Sequence, residues 1–355
     1  MGTERRNFLK GMAFLAPWLF GFVVFLVLPI VLSAYYSTCD YSLLERPMFV
    51  GGGNFSELMH DAIFWKVLKN TLVYAAMALP TGLLVSLGLA LLLNVSIPGQ
   101  PIFRTIVFLP SLAPAAAGAM VWMFLLNAKL GMVNHLLSMI GIGAVLLLVL
   151  AFLCAAGVAV VGKLVLRQRV SRGVWAGLVV TGGVLAAEAG LEIGGSAWAL
   201  ANWSVEGPGW LTDTDWVLKT FVVISLWGVG NTVVIYLAGL QDVPRELYEA
   251  AEIDGASTLQ RLWHVTLPTL SPVIFFNLIM AIIGTLQNFT GPQLITGGGP
   301  DNASKFYSMY LYDFAFTFLR MGYASAMAWI QLLLVMALTG LAFWSSKRWV
   351  HYQGK

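Results

Sequence analysis

One segment of the chain has the spacing of a nucleotide phosphate-binding loop. Gly157, Gly162 and Lys163 fit the pattern G-x-x-x-x-G-K, in which backbone amides and the lysine hold phosphate groups. The next residue is Leu164, whereas a magnesium-binding loop has Ser or Thr there. The segment also lies at the end of an apolar run, not after a strand. We therefore interpret it as a helix-packing face and predict that this chain does not itself hydrolyse ATP.

Histidine and cysteine, which are common ligands of transition metals and common catalytic residues, are scarce. The 4 histidines are scattered along the sequence, and the 2 cysteines, Cys39 and Cys154, cannot form a disulfide framework or a four-ligand zinc site. None of the histidines is spaced to share a metal or to activate a nucleophile. We predict no catalytic residue, no metal site and no cofactor bound by this chain. A net charge of +3 without a basic block also argues against nucleic-acid binding.

A charged segment at residues 241–268 separates two long apolar runs. Asp242 is predicted to cap a helix whose first turn holds Pro244, because Asp favours the N-cap position and Pro the first helical position. Glu246 and Glu249 would then lie near the positively polarised start of the helix, where acidic side chains are favourable.

This helix is predicted to carry a narrow face of mostly small side chains. The face consists of Leu247, Ala250, Ala251 and Asp254. Their spacing of i, i+3, i+4 and i+7 places them on one side of a helix. Gly255 is expected to end the helix. A second short helix should follow, and Pro268 is expected to break the chain before the next apolar run.

Apolar runs must position this segment. Only 10% of the residues are charged, against about 25% in a soluble domain, and the mean hydropathy is +0.80. A helix needs about 20 mostly apolar residues to cross a bilayer. The sequence therefore predicts an all-α polytopic membrane protein with eight spans. The predicted spans are residues 13–33, 71–93, 105–127, 140–162, 173–191, 217–240, 270–290 and 322–345.

The distribution of charge predicts how these spans are oriented. No predicted span has a charge near its middle, which argues against an ion-coupled secondary carrier. With both termini in the cytoplasm, 13 of the 20 Lys and Arg residues fall inside and 7 outside. This asymmetry follows the positive-inside rule. The segment 241–268 is then cytoplasmic.

The charged segment also resembles a known family motif. Glu249-Ala250-Ala251, three residues, Gly255, nine residues and Val265-Thr266-Leu267-Pro268 resemble the EAA loop with which permeases of ABC importers dock onto their ATPase. Val265 stands where isoleucine is commoner. Other segments resemble the carbohydrate-type subgroup, which includes maltose and glycerol-3-phosphate permeases. They are FRT at 103–105, FLP at 108–110, LAGL at 237–240, ELY at 246–248 and LITGGGP at 294–300.

The resemblance, which covers most of residues 8–142 and 205–346, implies a type I ABC importer permease core of six transmembrane helices. Residues 1–142 would hold the first three spans, and 203–355 the remaining core spans and the EAA loop. Residues 143–202 would be an inserted transmembrane hairpin, which the usual six-span permease lacks. The implied ATPase-coupling residues are Glu246, Leu247, Glu249, Ala250, Ala251, Asp254, Gly255, Leu267 and Pro268.

The resemblance also implies partners and a location. These are a second permease subunit, with a heterodimer expected, two copies of an ATPase that uses ATP and magnesium, and an extracytoplasmic solute-binding protein. The expected location is the bacterial inner membrane, with both termini cytoplasmic. The implied solute is a sugar or sugar-like compound. The alternatives are the same scaffold carrying a polyamine, phosphate or glycerophosphodiester, and, in another class, a secondary transporter.

Polar residues at midspan are the candidates for the solute path, because a lipid-facing position would leave their hydrogen-bonding groups unpaired. They are Ser111, Ser225, Asn231, Thr232, Gln287 and Asn288. The similarity to maltose-type permeases supports Ser111, Ser225, Thr232 and Asn288 and adds Thr285. A hydrogen bond between helices remains the alternative interpretation of each of these residues.

Overall fold

The computed structural model describes residues 2–95, 99–129, 131–134 and 208–351. These residues are mostly helical, and two short strands, β1 (Cys39–Asp40) and β2 (Met48–Phe49), pair antiparallel. The α-helices are α1 (Gly2–Phe22), α2 (Leu28–Ser37), α3 (Gly53–His60), α4 (Ala62–Leu93), α5 (Gln100–Phe108), α6 (Ala115–Leu125), α7 (Val217–Trp227), α8 (Gly230–Gln241), α9 (Arg245–Ile253), α10 (Thr258–Arg261), α11 (Leu267–Leu286), α12 (Thr290–Ile295), α13 (Tyr307–Tyr312) and α14 (Met321–Ser346).

The described residues contain 4 helical stretches long and apolar enough to cross a membrane, or up to 6 if each of two bent helix pairs is one span. The four are Phe14–Ser37, Ala62–Leu93, Thr258–Ile295 and Met321–Ser346. The bent pairs are Gln100–Leu112 with Ala115–Leu125, at 96°, and Val217–Trp227 with Gly230–Gln241, at 50°. These six elements correspond to the six predicted core spans. The other two predicted spans, 140–162 and 173–191, and the loop-like motif at 157–163 lie outside the described residues.

Helix α4 is the central element of the bundle. Helices α7, α8 and α11 all pack against it. Near its C-terminal end, Ala90 lies in a buried cluster with Val233, Tyr236 and Leu270, so α4, α8 and α11 share one apolar core. Near its start, Phe64 packs with residues of α13 and α14. The two ends of α4 are therefore held by different helices.

The region around Pro268 differs from the prediction. A proline lacks a backbone N–H, and its ring clashes with the carbonyl four residues back. Here a π turn, Leu262–Thr266, precedes it, and the Leu267 N–H bonds to the Leu262 carbonyl five residues back. This wider turn accommodates Pro268, which lies in the first turn of α11. The prediction that Pro268 breaks the chain is wrong, because the helical path continues through it.

The end of the bundle at which α4 begins is covered by the segments 38–61 and 296–323, which we call the platform. Asp61 is the N-cap of α4, and its carboxylate accepts hydrogen bonds from the hydroxyls of Tyr310 and Tyr323. Burial alone would raise the pKa of this carboxyl, but these bonds and those from the backbone outweigh burial and lower the pKa below its usual range. The platform is thus joined through a charged group to the central helix.

Candidate functional site

The charged segment forms helix α9, which begins differently from the prediction. Asp242 keeps helical dihedrals, φ −82 and ψ −7, and is the C-cap of α8. Pro244 has an extended backbone, with ψ 131, and is the N-cap of α9. The prediction that Asp242 caps this helix is wrong, since an N-cap residue must leave the helical region. Glu246 lies in the first turn, as predicted.

The end of α9 agrees with the sequence. Gly255 has φ +74, a left-handed conformation that is costly for most residues other than glycine. The Ala256 N–H donates to the Ala251 carbonyl at 2.9 Å, and the Gly255 N–H to the Glu252 carbonyl at 3.1 Å. This pair of bonds is a Schellman motif, which satisfies the last carbonyls of the helix. The prediction that Gly255 ends the helix is confirmed.

The predicted coupling residues lie mainly on the free surface of this segment. Those exposed are Glu246, Leu247, Glu249, Ala250, Asp254 and Gly255, whereas Ala251, Leu267 and Pro268 are half-buried. Ile253, which ends α9, is 87% exposed. An open pocket of about 290 Å³ adjoins the end of α9 and is lined in part by Ala251, Gly255 and His264. Small side chains and an open pocket leave room for another protein to approach this surface closely.

A second set of features lies within the spans, where three apolar elements are interrupted. Residues 113–114 separate the 3-10 turn Leu109–Leu112 from α6, residues 228–229 separate α7 from α8, and residues 287–289 separate α11 from α12. We call these the helix breaks. Each interruption frees backbone N–H and C=O groups. Within a bilayer such groups are tolerated only where they are buried in protein or line a water-filled cavity.

Two of the helix breaks meet at Gly230, the first residue of α8. A Cβ atom there would lie 2.7 Å from the Val107 carbonyl oxygen and 3.0 Å from Ser111 Oγ. Only glycine permits this approach, which brings Ser111, from the 3-10 turn at the first break, against the start of α8. The rings of Trp122 and Trp227 also pack edge to face with centroids 5.9 Å apart.

Tyr74 on α4 connects the third helix break with α7, the helix that ends at the second break. The Asn288 amide donates to the Tyr74 hydroxyl oxygen at 3.5 Å, and the Ser225 side chain interacts with the same hydroxyl. The Tyr74 ring is 4% exposed and packs on Phe306, with centroids 4.9 Å apart. A serine, an amide and a phenol from three elements therefore converge, and together they can donate and accept hydrogen bonds.

The charged segment and the helix breaks both lie in a region of the chain that matches one sequence family. Residues 78–351 match the family described as the binding-protein-dependent transport system inner membrane component. This match spans the helix breaks and the segment 241–268. The chain belongs to this family. It is a permease subunit of an ABC importer and a component of the inner membrane, and the relatives below are named as transport permeases rather than enzymes.

Individual relatives are similar to this permease along most of its length. The permease is 32% identical over 355 residues to the probable ABC transporter permease protein YesP of Bacillus subtilis (strain 168), covering 99% of this chain and 94% of the relative. It is 29% identical over 360 residues to the lactose transport system permease protein LacF of Rhizobium radiobacter, covering 98% and 99%. The fold matches a chain in the crystal structure of a bacterial alginate ABC transporter in complex with an alginate pentasaccharide-bound periplasmic protein. The TM-score is 0.70 at 21% identity, and the match covers 97% of this permease and 96% of that chain.

The predicted path residues do not form a single cluster. Ser225 and Asn288 meet at Tyr74, and Ser111 lies beside Gly230. The remaining four flank the breaks without reaching Tyr74 in the part of the chain that the structure describes. Of these, Asn231 and Gln287 are exposed, and Thr232 and Thr285 are half-buried.

Sequence reasoning missed the residues that join the breaks. Tyr74 lies in a predicted span as an aromatic residue, and only its placement shows that its hydroxyl links two other elements. Pro114 and Gly228 could have indicated the breaks, because Pro and Gly often interrupt helices and both lie in otherwise apolar runs. A search for uncharged runs ignores such interruptions and predicts continuous helices.

Proposed function

We propose that this permease imports a neutral sugar along a path lined by the helix breaks. The observation that carries the proposal is the convergence of Ser225 and Asn288 on Tyr74, where backbone is also interrupted. A sugar hydroxyl is both donor and acceptor, so amide and hydroxyl side chains are suitable partners. Nearby aromatic rings, such as the pair Trp122 and Trp227, suit the apolar faces of a sugar ring.

The lack of charged residues in the sequence around the helix breaks supports a neutral solute. Residues 108–120, 222–236 and 283–296, which surround the three breaks, contain no Asp, Glu, Lys or Arg. A polyamine would need carboxylates along its path, and a path for phosphate would need Lys or Arg side chains to balance its charge. The carbohydrate class is also supported by the name of LacF, a lactose transport system permease. These points favour a sugar over the other solutes that the scaffold could carry.

The proposed transport depends on ATP hydrolysis by a partner ATPase and on two further partner proteins. The segment 241–268 docks on an ATPase, whose two copies bind ATP and magnesium, so the segment faces the cytoplasm and both termini are cytoplasmic. A second permease subunit completes the membrane pair, and an extracytoplasmic binding protein delivers the sugar to the platform. The free surface of α9, with its small side chains, supports docking of this kind.

Uptake by the reconstituted complex tests the solute class. The permease is co-expressed with its second permease, ATPase and binding protein and placed in proteoliposomes loaded with MgATP. We expect ATP-dependent uptake of at least one member of a labelled panel of neutral mono- to tetrasaccharides that includes lactose. Labelled spermidine and inorganic phosphate are the controls. Uptake of spermidine or phosphate without uptake of any sugar would contradict the proposal.

A further inference from the structure

A side-chain contact joins the coupling helix to the span that follows it. The Tyr248 hydroxyl on α9 and the Thr266 Oγ1 atom lie 3.0 Å apart across 18 residues of sequence, and either hydroxyl can donate. Without such a contact, α9 would be attached to α11 only through Gly255, the following loop and the four-residue α10. A hinge of this kind would let α9 move without displacing the span.

The Thr266 end of this contact is well fixed. Thr266 is 5% exposed and lies in the π turn Leu262–Thr266, immediately before α11. Its hydroxyl is also within 3.3 Å of the Arg261 carbonyl oxygen. A π turn leaves carbonyl groups with altered hydrogen-bonding partners, and the Thr266 hydroxyl reaches one of them. Tyr248 therefore binds to a buried point at the base of the span.

A second contact crosses the same junction. Arg261 NH1 lies 3.4 Å from a carboxylate oxygen of Glu252, with side chains 19% and 42% exposed respectively. An ion pair this open to water contributes little by itself. It nevertheless shows that two separate side chains of α9 reach the α10–π-turn junction. The hydrogen bond between Tyr248 and Thr266 is the stronger candidate because its Thr266 side is buried.

We propose that Tyr248 and Thr266 are positioning residues that make α9 and α11 move as one body, which deepens the proposed function and rests on it. From Thr258 to Leu286 the helical path spans roughly 40 Å at about 1.5 Å per residue. The third helix break, with Gln287 and Asn288, lies at its far end. A displacement of α9 by the ATPase is thereby delivered to the solute path.

The test follows an ATP-driven change at the far end of the span and needs no solute. A Gln287→Cys variant with Cys39→Ser and Cys154→Ser is reconstituted with its second permease and ATPase in nanodiscs. Labelling by a hydrophilic maleimide is timed with and without MgATP and vanadate. In this background we expect the trapped nucleotide to change the labelling rate. Tyr248→Phe and Thr266→Val should each reduce that change about five-fold, as for one lost hydrogen bond.

Three comparisons separate positioning from a general structural effect. Thr266→Ser keeps the hydroxyl and should restore the response, and the double variant should lose no more than either single variant, because both remove the same bond. The ATPase should co-purify with every variant, since Tyr248 points toward the span. A normal response in Tyr248→Phe and Thr266→Val, a loss in Thr266→Ser equal to that in Thr266→Val, or additive losses would overturn the inference. No nucleotide response in the Gln287→Cys background would instead contradict the proposed function.

Discussion

Replacing Gly255 with aspartate should reduce sugar uptake by more than ten-fold while leaving the chain folded in the membrane. Gly255 is exposed, and no atom lies within 4 Å of a Cβ added there, so the substitution causes no clash. Aspartate tolerates the left-handed backbone, with φ +74, better than most residues. The damage comes from its charge, which would lie at the negative end of α9 and be buried against the ATPase. An unpaired buried charge costs several kcal/mol, and about 1.4 kcal/mol is already ten-fold.

A matched substitution isolates the charge. Gly255→Asn has nearly the same shape and backbone preference but is neutral, so it should retain most of the uptake. The measurements are uptake, the amount of permease in the membrane and the amount of ATPase that co-purifies with it. If Gly255→Asp co-purified with the ATPase at the wild-type yield and transported normally, α9 would not be the docking element.

Replacing Asn288 with leucine should lower uptake per assembled complex several-fold. The Asn288 amide reaches Tyr74 at 3.5 Å, a long bond that leaves the amide available to a sugar hydroxyl. Losing one such bond costs on the order of 1 kcal/mol, which slows transport without removing protein from the membrane. Gln287→Leu and Thr232→Val should have smaller effects, because neither side chain reaches the Tyr74 cluster.

Tyr74→Phe is the matched control for Asn288→Leu. It keeps the ring packed on Phe306 and removes only the hydroxyl shared with Ser225 and Asn288. If these residues bind sugar, both variants should assemble normally and transport slowly. If Asn288 serves helix packing instead, Asn288→Leu should lower the yield of the complex with normal uptake per assembled complex. That result would remove Asn288 from the solute path.

The sequence predicted the features that depend on local chemistry. Apolar runs located the four helical stretches and the two bent helix pairs that are long and apolar enough to cross a membrane, because bilayer thickness sets their length. Gly255 ended its helix as expected, since the left-handed conformation strongly favours glycine. The pattern from Glu249 to Pro268 pointed to the family, and residues 78–351 confirm it. These features need only a few neighbouring residues to be recognised.

Features that depend on the exact path of the backbone or on distant residues were not predicted. Asp242 was expected to cap α9, but it keeps helical dihedrals and lies at the end of α8. The sequence around Asp242 alone does not show to which of the two helices it belongs. Pro268 was expected to break the chain, yet a π turn accommodates it. The contacts of Tyr74 with Ser225 and Asn288 join residues more than 100 positions apart in the sequence. No spacing rule connects residues so distant.

The most direct test of the account is whether a transported sugar protects the helix breaks from chemical labelling. Ser111→Cys is a small change at the first break, and Lys347→Cys places a matched cysteine on an exposed surface just after α14, away from the platform. Both are made with Cys39→Ser and Cys154→Ser and assembled with the ATPase, the second permease and the sugar-loaded binding protein. During ATP turnover, the sugar taken up in the panel assay should slow maleimide labelling of position 111 and leave position 347 unchanged. Equal labelling rates at position 111 with and without that sugar would contradict a solute path along the helix breaks.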